Sequence, residues 1–172
     1  MLSEEFIIGD CQPDEIRQIA LLEREVFSVP WTEEMFRQEA SSSLSRMLVV
    51  RKRERVTVQE VLGYLIFWQV SDEFHLQKIA VKSDLRRRGI GSALLAQAFE
   101  EAAQFHCRHA TLEVRRSNHA AIRFYKRFGF TVEGIRPRYY DDTGEDALIL
   151  WADLPGACRG DHSRSDRGIP LV

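Results

Sequence analysis

The sequence predicts a single-domain mixed α/β sandwich. Three observations carry that expectation: strand-like and helix-like runs alternate along the chain, the apolar runs are short, and no segment repeats. At 172 residues the chain can bury one core of ordinary size. Hydrophobic residues at 44% against charged residues at 29% give the balance of a globular domain rather than a disordered or membrane one.

Glu5 to Gly9 is a short β-like run. Pro13 opens a helix in which Ile16, Ile19, Ala20, Leu22 or Glu23, and Val26 recur at helical spacing, with Phe27 beside them. Ser28-Val29-Pro30-Trp31-Thr32 breaks that helix, and Thr32, followed by Glu34 and Met35, caps another. Ser41 to Ser45 is a polar loop. Met47 to Arg51 and Val61 to Val70 pair as a hairpin joined by the charged segment Lys52 to Glu60. Phe74 to Val81 is a further strand, and Ser92 to Phe105 an alanine-rich helix that can lie close on a sheet. His109 to Val114 is a strand, and Asn118 to Phe128 a helix stopped by Gly129. Phe130 to Ile135 and Asp146 to Asp153 are the last strands, separated by the turn-rich Asp141-Asp142-Thr143-Gly144. The order reduces to ββαβαββ after two leading helices. Residues 1–154 are the expected domain, and 155–172, with three glycines among scattered charges, an expected flexible tail.

Several function classes are disfavoured. A formal net charge of -2 argues against nucleic-acid binding through bulk charge. The apolar stretch from Val61 to Val70 is about half the ~20 residues of a membrane span, so it reads as a buried strand. The N-terminal MLSEEFIIGD lacks the basic-then-apolar order of a signal peptide. Cys11, Cys107 and Cys158 stand far apart and imply reduced thiols, so a cytoplasmic protein is expected. His106-Cys107-x-His109 bunches possible ligands without a second cluster, and no metal site is expected.

The segment richest in chemistry runs strand, Arg86-Arg87-Arg88-Gly89-Ile90-Gly91, helix. Glycines let successive N–H groups face one concavity, the helix start adds its positive dipole end, and arginines supply charge-assisted donors. A pyrophosphate suits such a site; a solvated surface loop is the other reading of the same residues. No Gly-Lys-Ser/Thr follows, so it is not a Walker loop, and the dinucleotide fingerprint is incomplete. Further on, Glu113 ends a strand, and Asn118 and Tyr125 lie seven positions apart on the next helix, with Ala121 and Ile122 between. A carboxylate and a phenol can then meet at one cleft; a solvated Glu113 and a core Tyr125 are the plainer alternative.

Leu76-Gln77-Lys78-Ile79-Ala80-Val81, the Arg86–Gly91 loop, Leu112-Glu113-Val114 and Asn118-x-x-Ala121-x-x-x-Tyr125-x-x-x-Gly129-Phe130 together resemble the GNAT acetyltransferase family. Within it, Phe27-Ser28-Val29-Pro30-Trp31-Thr32, Val70-Ser71-Asp72-Glu73, Arg138-Tyr139-Tyr140 and Gly144-Glu145-Asp146-Ala147 resemble the bacterial branch that acetylates the N-terminal alanine of a small-subunit ribosomal protein. The likeness covers residues 5 to 154. It implies the acyl-CoA N-acyltransferase fold, a central mixed sheet flanked by helices, with acetyl-CoA as co-substrate and no metal.

The resemblance also implies roles. Ile79, Ala80 and Val81 would present backbone to the cofactor arm, with the Val81 N–H polarising the acetyl carbonyl. Arg86, Arg87, Arg88, Gly89, Ile90, Gly91 and Ser92 would hold the pyrophosphate, and Asn118 the cofactor arm. Glu113 matches the general base and Tyr125 the acid that protonates the departing thiolate. Trp31, Tyr139 and Tyr140 would contact a protein N-terminus, with no direct nucleic-acid or membrane partner expected. An α-ammonium, with a pKa of ~7.7–8.0, needs far less help to lose its proton than a lysine at ~10.4, so one carboxylate is adequate. Direct transfer in a ternary complex is expected, since no cysteine sits in a motif for an acyl-enzyme. The acidic cluster Asp141, Asp142, Glu145 and Asp146 implies tolerance of basic residues further along the peptide.

Overall fold

The apolar run Val61–Val70 lies within a seven-stranded sheet, buried on both faces, which is why it reads as nearly continuous rather than alternating. The computed structural model describes residues 6–53 and 60–154. In chain order these form β1 (Phe6–Asp10), a 3-10 turn (Pro13–Glu15), α1 (Ile16–Val26), α2 (Glu33–Ser41), β2 (Ser45–Lys52), β3 (Val61–Val70) and β4 (Glu73–Val81). There follow a second 3-10 turn (Ser83–Leu85), α3 (Ile90–Gln104), β5 (His109–Arg115), α4 (His119–Lys126), β6 (Thr131–Tyr140) and β7 (Glu145–Asp153). The sheet order is β1-β2-β3-β4-β5-β7-β6, antiparallel except between β4 and β5.

Two cores cover the two faces. On one, Ile16, Ile19, Ala20 and Leu22 of α1 and Phe36 of α2 pack on Met47, Val49, Tyr64, Ile66 and Ala80. On the other, Ile90, Leu94, Leu95 and Ala98 of α3 and Tyr125 of α4 pack on Leu48, Val50, Leu65, Phe67, Leu112 and Val114. Strand alternation sends neighbouring residues of β2 to different cores. Each fully buried leucine contributes roughly 1.5–3 kcal/mol, enough to seat α3 firmly on the sheet. Thr32 caps α2 by accepting the Met35 N–H at 3.2 Å, and Gly129, at φ 86°, follows α4 as its left-handed stop.

Three expectations are corrected. Three strands, β2 to β4, lie between α2 and α3, so the order ββαβαββ after two leading helices is one strand short. The strand expected to end at Ile135 runs on to Tyr140, because a break in the β6–β7 register between Arg136 and Tyr140 absorbs Pro137 and lets pairing resume at Tyr140↔Glu145. Asn118 precedes α4 as its N-cap, its Oδ1 accepting the Ala121 N–H at 3.1 Å, instead of sharing a helical face with Tyr125. Most of the Lys52–Glu60 connection and the 155–172 tail lie outside the described residues.

Candidate functional site

The parallel pairing of β4 with β5 covers only Glu73–Leu76 against His109–Leu112. Beyond it, residues 78–81 keep their ladder with β3 while 113–115 keep theirs with β7. The sheet is therefore split at the C-terminal ends of its two parallel strands. A bulge at Gln77, where the β3–β4 register shifts between Ile66 and Phe67, sits where the split begins and turns β4 away.

Backbone groups line one lip. The Lys82 N–H donates to the Leu62 carbonyl on the β3 side at 2.9 Å. Successive residues of a strand aim their amide groups to opposite sides, so the Val81 N–H and C=O face the opening. Arg86 Nε donates to that same Val81 carbonyl at 3.3 Å, tying the arginine loop to the lip. Gly63 lies opposite Val81, and a Cβ there would stand 2.8 Å from the Ala80 carbonyl, so only glycine permits β3 and β4 to pair this closely.

The loop itself has the geometry of an anion nest. Arg87 (φ 64°) and Gly89 (φ 85°) both adopt the left-handed conformation. Ala93 donates to the Gly89 carbonyl at 2.9 Å, so the N–H groups of Ile90, Gly91 and Ser92 precede that bond and point out of the start of α3. A Cβ at Gly91 would lie 3.8 Å from both Val81 and Phe124, which places the helix start between β4 and α4. These residues fit a pyrophosphate. A wild-type thermal shift on adding acetyl-CoA is expected, with Gly89→Asp abolishing it and Gly89→Asn retaining part of it. Both side chains tolerate positive φ, and a Cβ at this position meets nothing within 4 Å, so the difference isolates the charge. Equal shifts in all three proteins would remove the phosphate from this loop.

Glu113 and Tyr125 approach the split from opposite faces. Leu112 and Val114 face the core shared with α3 and α4, so Glu113 between them projects to the α1–α2 side, whereas Tyr125 is buried among the α3–α4 core at 7% exposure. Glu113 Oε1 accepts from Arg136 at 2.8 Å and Oε2 from the Tyr139 hydroxyl at 3.4 Å. The second contact is long, and it leaves Oε2 as the oxygen with capacity for another donor. Burial, with a smaller contribution from nearby Tyr140, raises the Tyr125 phenol well above its ordinary value. Burial likewise pushes Tyr140 up to about 12.

The α1–α2 side of the split carries a second polar group for which the residue pattern offered only a faint sign. Glu23, fully buried on α1, accepts the Lys78 ammonium and the Tyr64 hydroxyl, and also the Trp31 N–H at 2.9 Å. The Lys78 ammonium lies 4.4 Å from the Phe27 ring centroid and 4.7 Å from that of Trp31. A carboxylate at an apolar position of α1 is the signal in the sequence. Trp31 thus packs against Lys78 and Phe36 beside the split. His75 pairs with Glu73 at 2.8 Å, and His109 with Asp153 at 3.0 Å. Among the described residues no group of three His, Cys, Asp or Glu side chains could hold a metal, and no helix is long and apolar enough to cross a membrane. The acidic cluster is less available than its sequence implied: Asp142 and Glu145 engage Arg115, and Asp146 accepts the Arg138 N–H at 2.9 Å.

A split sheet with the free N–H groups of a helix start at one lip and a carboxylate and a phenol on its two faces is an arrangement suited to seating a phosphate-bearing carrier. The chain belongs to the acetyltransferase (GNAT) family, whose description matches residues 16–130, and is an N-acetyltransferase using acetyl-CoA. It is 35% identical over 142 residues to a Bacillus subtilis protein provisionally named as a ribosomal protein bS18-alanine N-acetyltransferase, covering 82% of this chain and 91% of that one. It is also 35% identical over 131 residues to the ribosomal protein bS18-alanine N-acetyltransferase of Escherichia coli K12, covering 75% and 84%. The crystal structure of the Escherichia coli ribosomal-protein-S18-alanine N-acetyltransferase matches with a TM-score of 0.78 at 28% identity, covering 92% of this chain and 99% of that one.

Proposed function

We propose that the chain acetylates the N-terminal α-amine of a protein in the cytoplasm, the N-terminal alanine of a small-subunit ribosomal protein being its substrate, by direct transfer in a ternary complex. The observation that carries this reading is the split between β4 and β5, with Glu113, Tyr139 and Trp31 toward its α1–α2 side and Tyr125 on the other. The relatives that act on a ribosomal protein's alanine favour that substrate.

In this reading the amine enters from the α1–α2 side, where Glu113 Oε2 takes its proton through a water. The amine lone pair attacks the acetyl carbon while the Val81 N–H hydrogen-bonds the carbonyl oxygen. The carbon–sulfur bond breaks toward the α4 side as Tyr125 protonates the departing sulfur; the nitrogen then gives up its excess proton to solvent, and solvent returns one to the Tyr125 phenolate. Ile79 and Ala80 supply strand backbone along the cofactor arm, Arg86 to Ser92 the phosphate site, and Asn118, its Oδ1 committed to the cap, an amide donor. Tyr139 and Tyr140 hold the peptide. Residues 1–154 make up the catalytic domain.

A peptide beginning with alanine and a free α-amine is expected to be acetylated faster than the same peptide with its terminus blocked and an internal lysine. At pH ~8 about half or more of the α-amine is neutral, whereas lysine, at ~10.4, is almost wholly charged. The blocked peptide proving the better substrate would replace this reading with a lysine or polyamine acetyltransferase, and tight acetyl-CoA binding without turnover would make the chain a sensor.

A further inference from the structure

Arg115, the last residue of β5, has no part in the proposed transfer chemistry, yet it gathers the turn between β6 and β7. Its Nη2 donates to both carboxylate oxygens of Asp142 at 2.8 Å, and its Nη1 to Thr143 Oγ1 at 2.9 Å. Glu145 stands 3.7 Å away, and the guanidinium lies 3.8 Å from the Tyr140 ring centroid. The Tyr140 and Tyr139 rings meet edge-on at 5.1 Å, and the Tyr139 hydroxyl reaches Glu113. A chain of contacts thus runs from Arg115 through Tyr140 and Tyr139 to Glu113.

We propose that Arg115 is a positioning residue for peptide recognition, fixing the Tyr139–Tyr140 segment at the mouth of the split by clamping the β6–β7 turn to the end of β5. The inference rests on the reading of that tyrosine pair as the peptide contact. The segment needs such a clamp. Its ladder with β7 is broken between Arg136 and Tyr140, and Arg138 sits at φ 49°, a conformation that favours glycine. Pro137 to Tyr139 are therefore without ladder partners, the Arg138 N–H going to the Asp146 carboxylate at 2.9 Å instead. Only a planar fork can meet the carboxylate and hydroxyl in its plane while its face lies on an aromatic ring, so lysine is no substitute. The same contact holds the Asp142 carboxyl below the usual carboxylate range, as expected of a carboxylate bonded to a guanidinium. The other end of the turn is tied to the same loop, since Glu145 accepts the Ser117 N–H at 2.6 Å.

Steady-state kinetics on the full chain with an alanine-starting peptide test the inference in Arg115→Lys, Tyr140→Ala and the double variant. Arg115→Lys is expected to raise the peptide KM roughly 10-fold, the scale of one charge-assisted hydrogen bond, while the acetyl-CoA KM stays within about twofold. The double variant should be no worse than Tyr140→Ala alone, because Arg115 acts through Tyr140. A raised peptide KM in Tyr140→Ala with an unchanged one in Arg115→Lys overturns the role of Arg115 and spares the peptide site. An unchanged peptide KM in Tyr140→Ala overturns both. Equal rises of the two KM values in Arg115→Lys, with a lowered melting temperature, would make Arg115 a general structural residue and overturn the inference as well.

Discussion

Glu113→Gln is expected to lower peptide acetylation by about 10²–10⁴-fold near pH 7, the range of a general base, while acetyl-CoA still binds. The amide keeps the shape of the carboxylate and can still contact Arg136 and Tyr139, so the loss reports the missing base and not a collapsed site. Above pH ~8 the substrate α-amine sheds its proton unaided, and the deficit of Glu113→Gln should shrink. Tyr125→Phe is expected to lose a similar factor with a different pH dependence. The phenol of Tyr125 is raised by burial above the ordinary ~10, so it stays protonated throughout the range in which the assay runs. The raised value has a definite sign: a buried phenol keeps its proton to higher pH, so the hydrogen bond it offers the departing sulfur is present at pH 9 as at pH 7. Its deficit should therefore be flat across that interval. Rate–pH profiles of the wild type and both variants decide the matter. A Glu113→Gln deficit that is undiminished at high pH would reduce Glu113 to an orienting group and move the search for the base to His75 or a bound water.

Lys78→Met is expected to destabilise the fold by about 3–5 kcal/mol, the usual cost of stranding one member of a buried ion pair. Glu23 is fully buried, and without the ammonium it retains only the neutral donors of Trp31 and Tyr64. Methionine also loses the cation's attraction to the Phe27 and Trp31 rings. For a chain of this size the melting temperature should fall by roughly 6–20 °C. Burial lowers the Lys78 ammonium below its ordinary value even though Glu23 opposes the shift, so desolvation outweighs the attraction. Because taking two charges out of water offsets much of their attraction, the double variant Glu23→Gln/Lys78→Met should recover most of the loss. Chemical denaturation of the three proteins checks this, and a loss below about 1 kcal/mol in Lys78→Met would show that Glu23 does not depend on its cation.

Residue types and their spacing determine much of this protein on their own. Strands and helices were legible because burial imposes a period of two or 3.6 on apolar residues, as along Ile16–Val26 and Val61–Val70. The turn at Arg86–Gly91 was legible because left-handed backbone is a local property, here adopted by Arg87 and Gly89. Gly129 and Thr32 likewise mark helix ends through their own backbone or side-chain chemistry. Only the tertiary structure decided what lies across the sheet. That β4 and β5 part after Leu76 and Leu112 depends on where the β3–β4 hairpin bulges and on a parallel strand that arrives only after α3. That Glu113 and Tyr125 occupy opposite faces follows from register, and a one-residue slip would reverse it. Glu23, Tyr64 and Lys78 meet over separations of 41 and 55 residues, and Arg115 reaches Asp142 over 27. Periodicity constrains neighbours along one element, whereas these contacts are chosen by how separate elements dock, where side-chain packing and charge pairing outweigh any local preference.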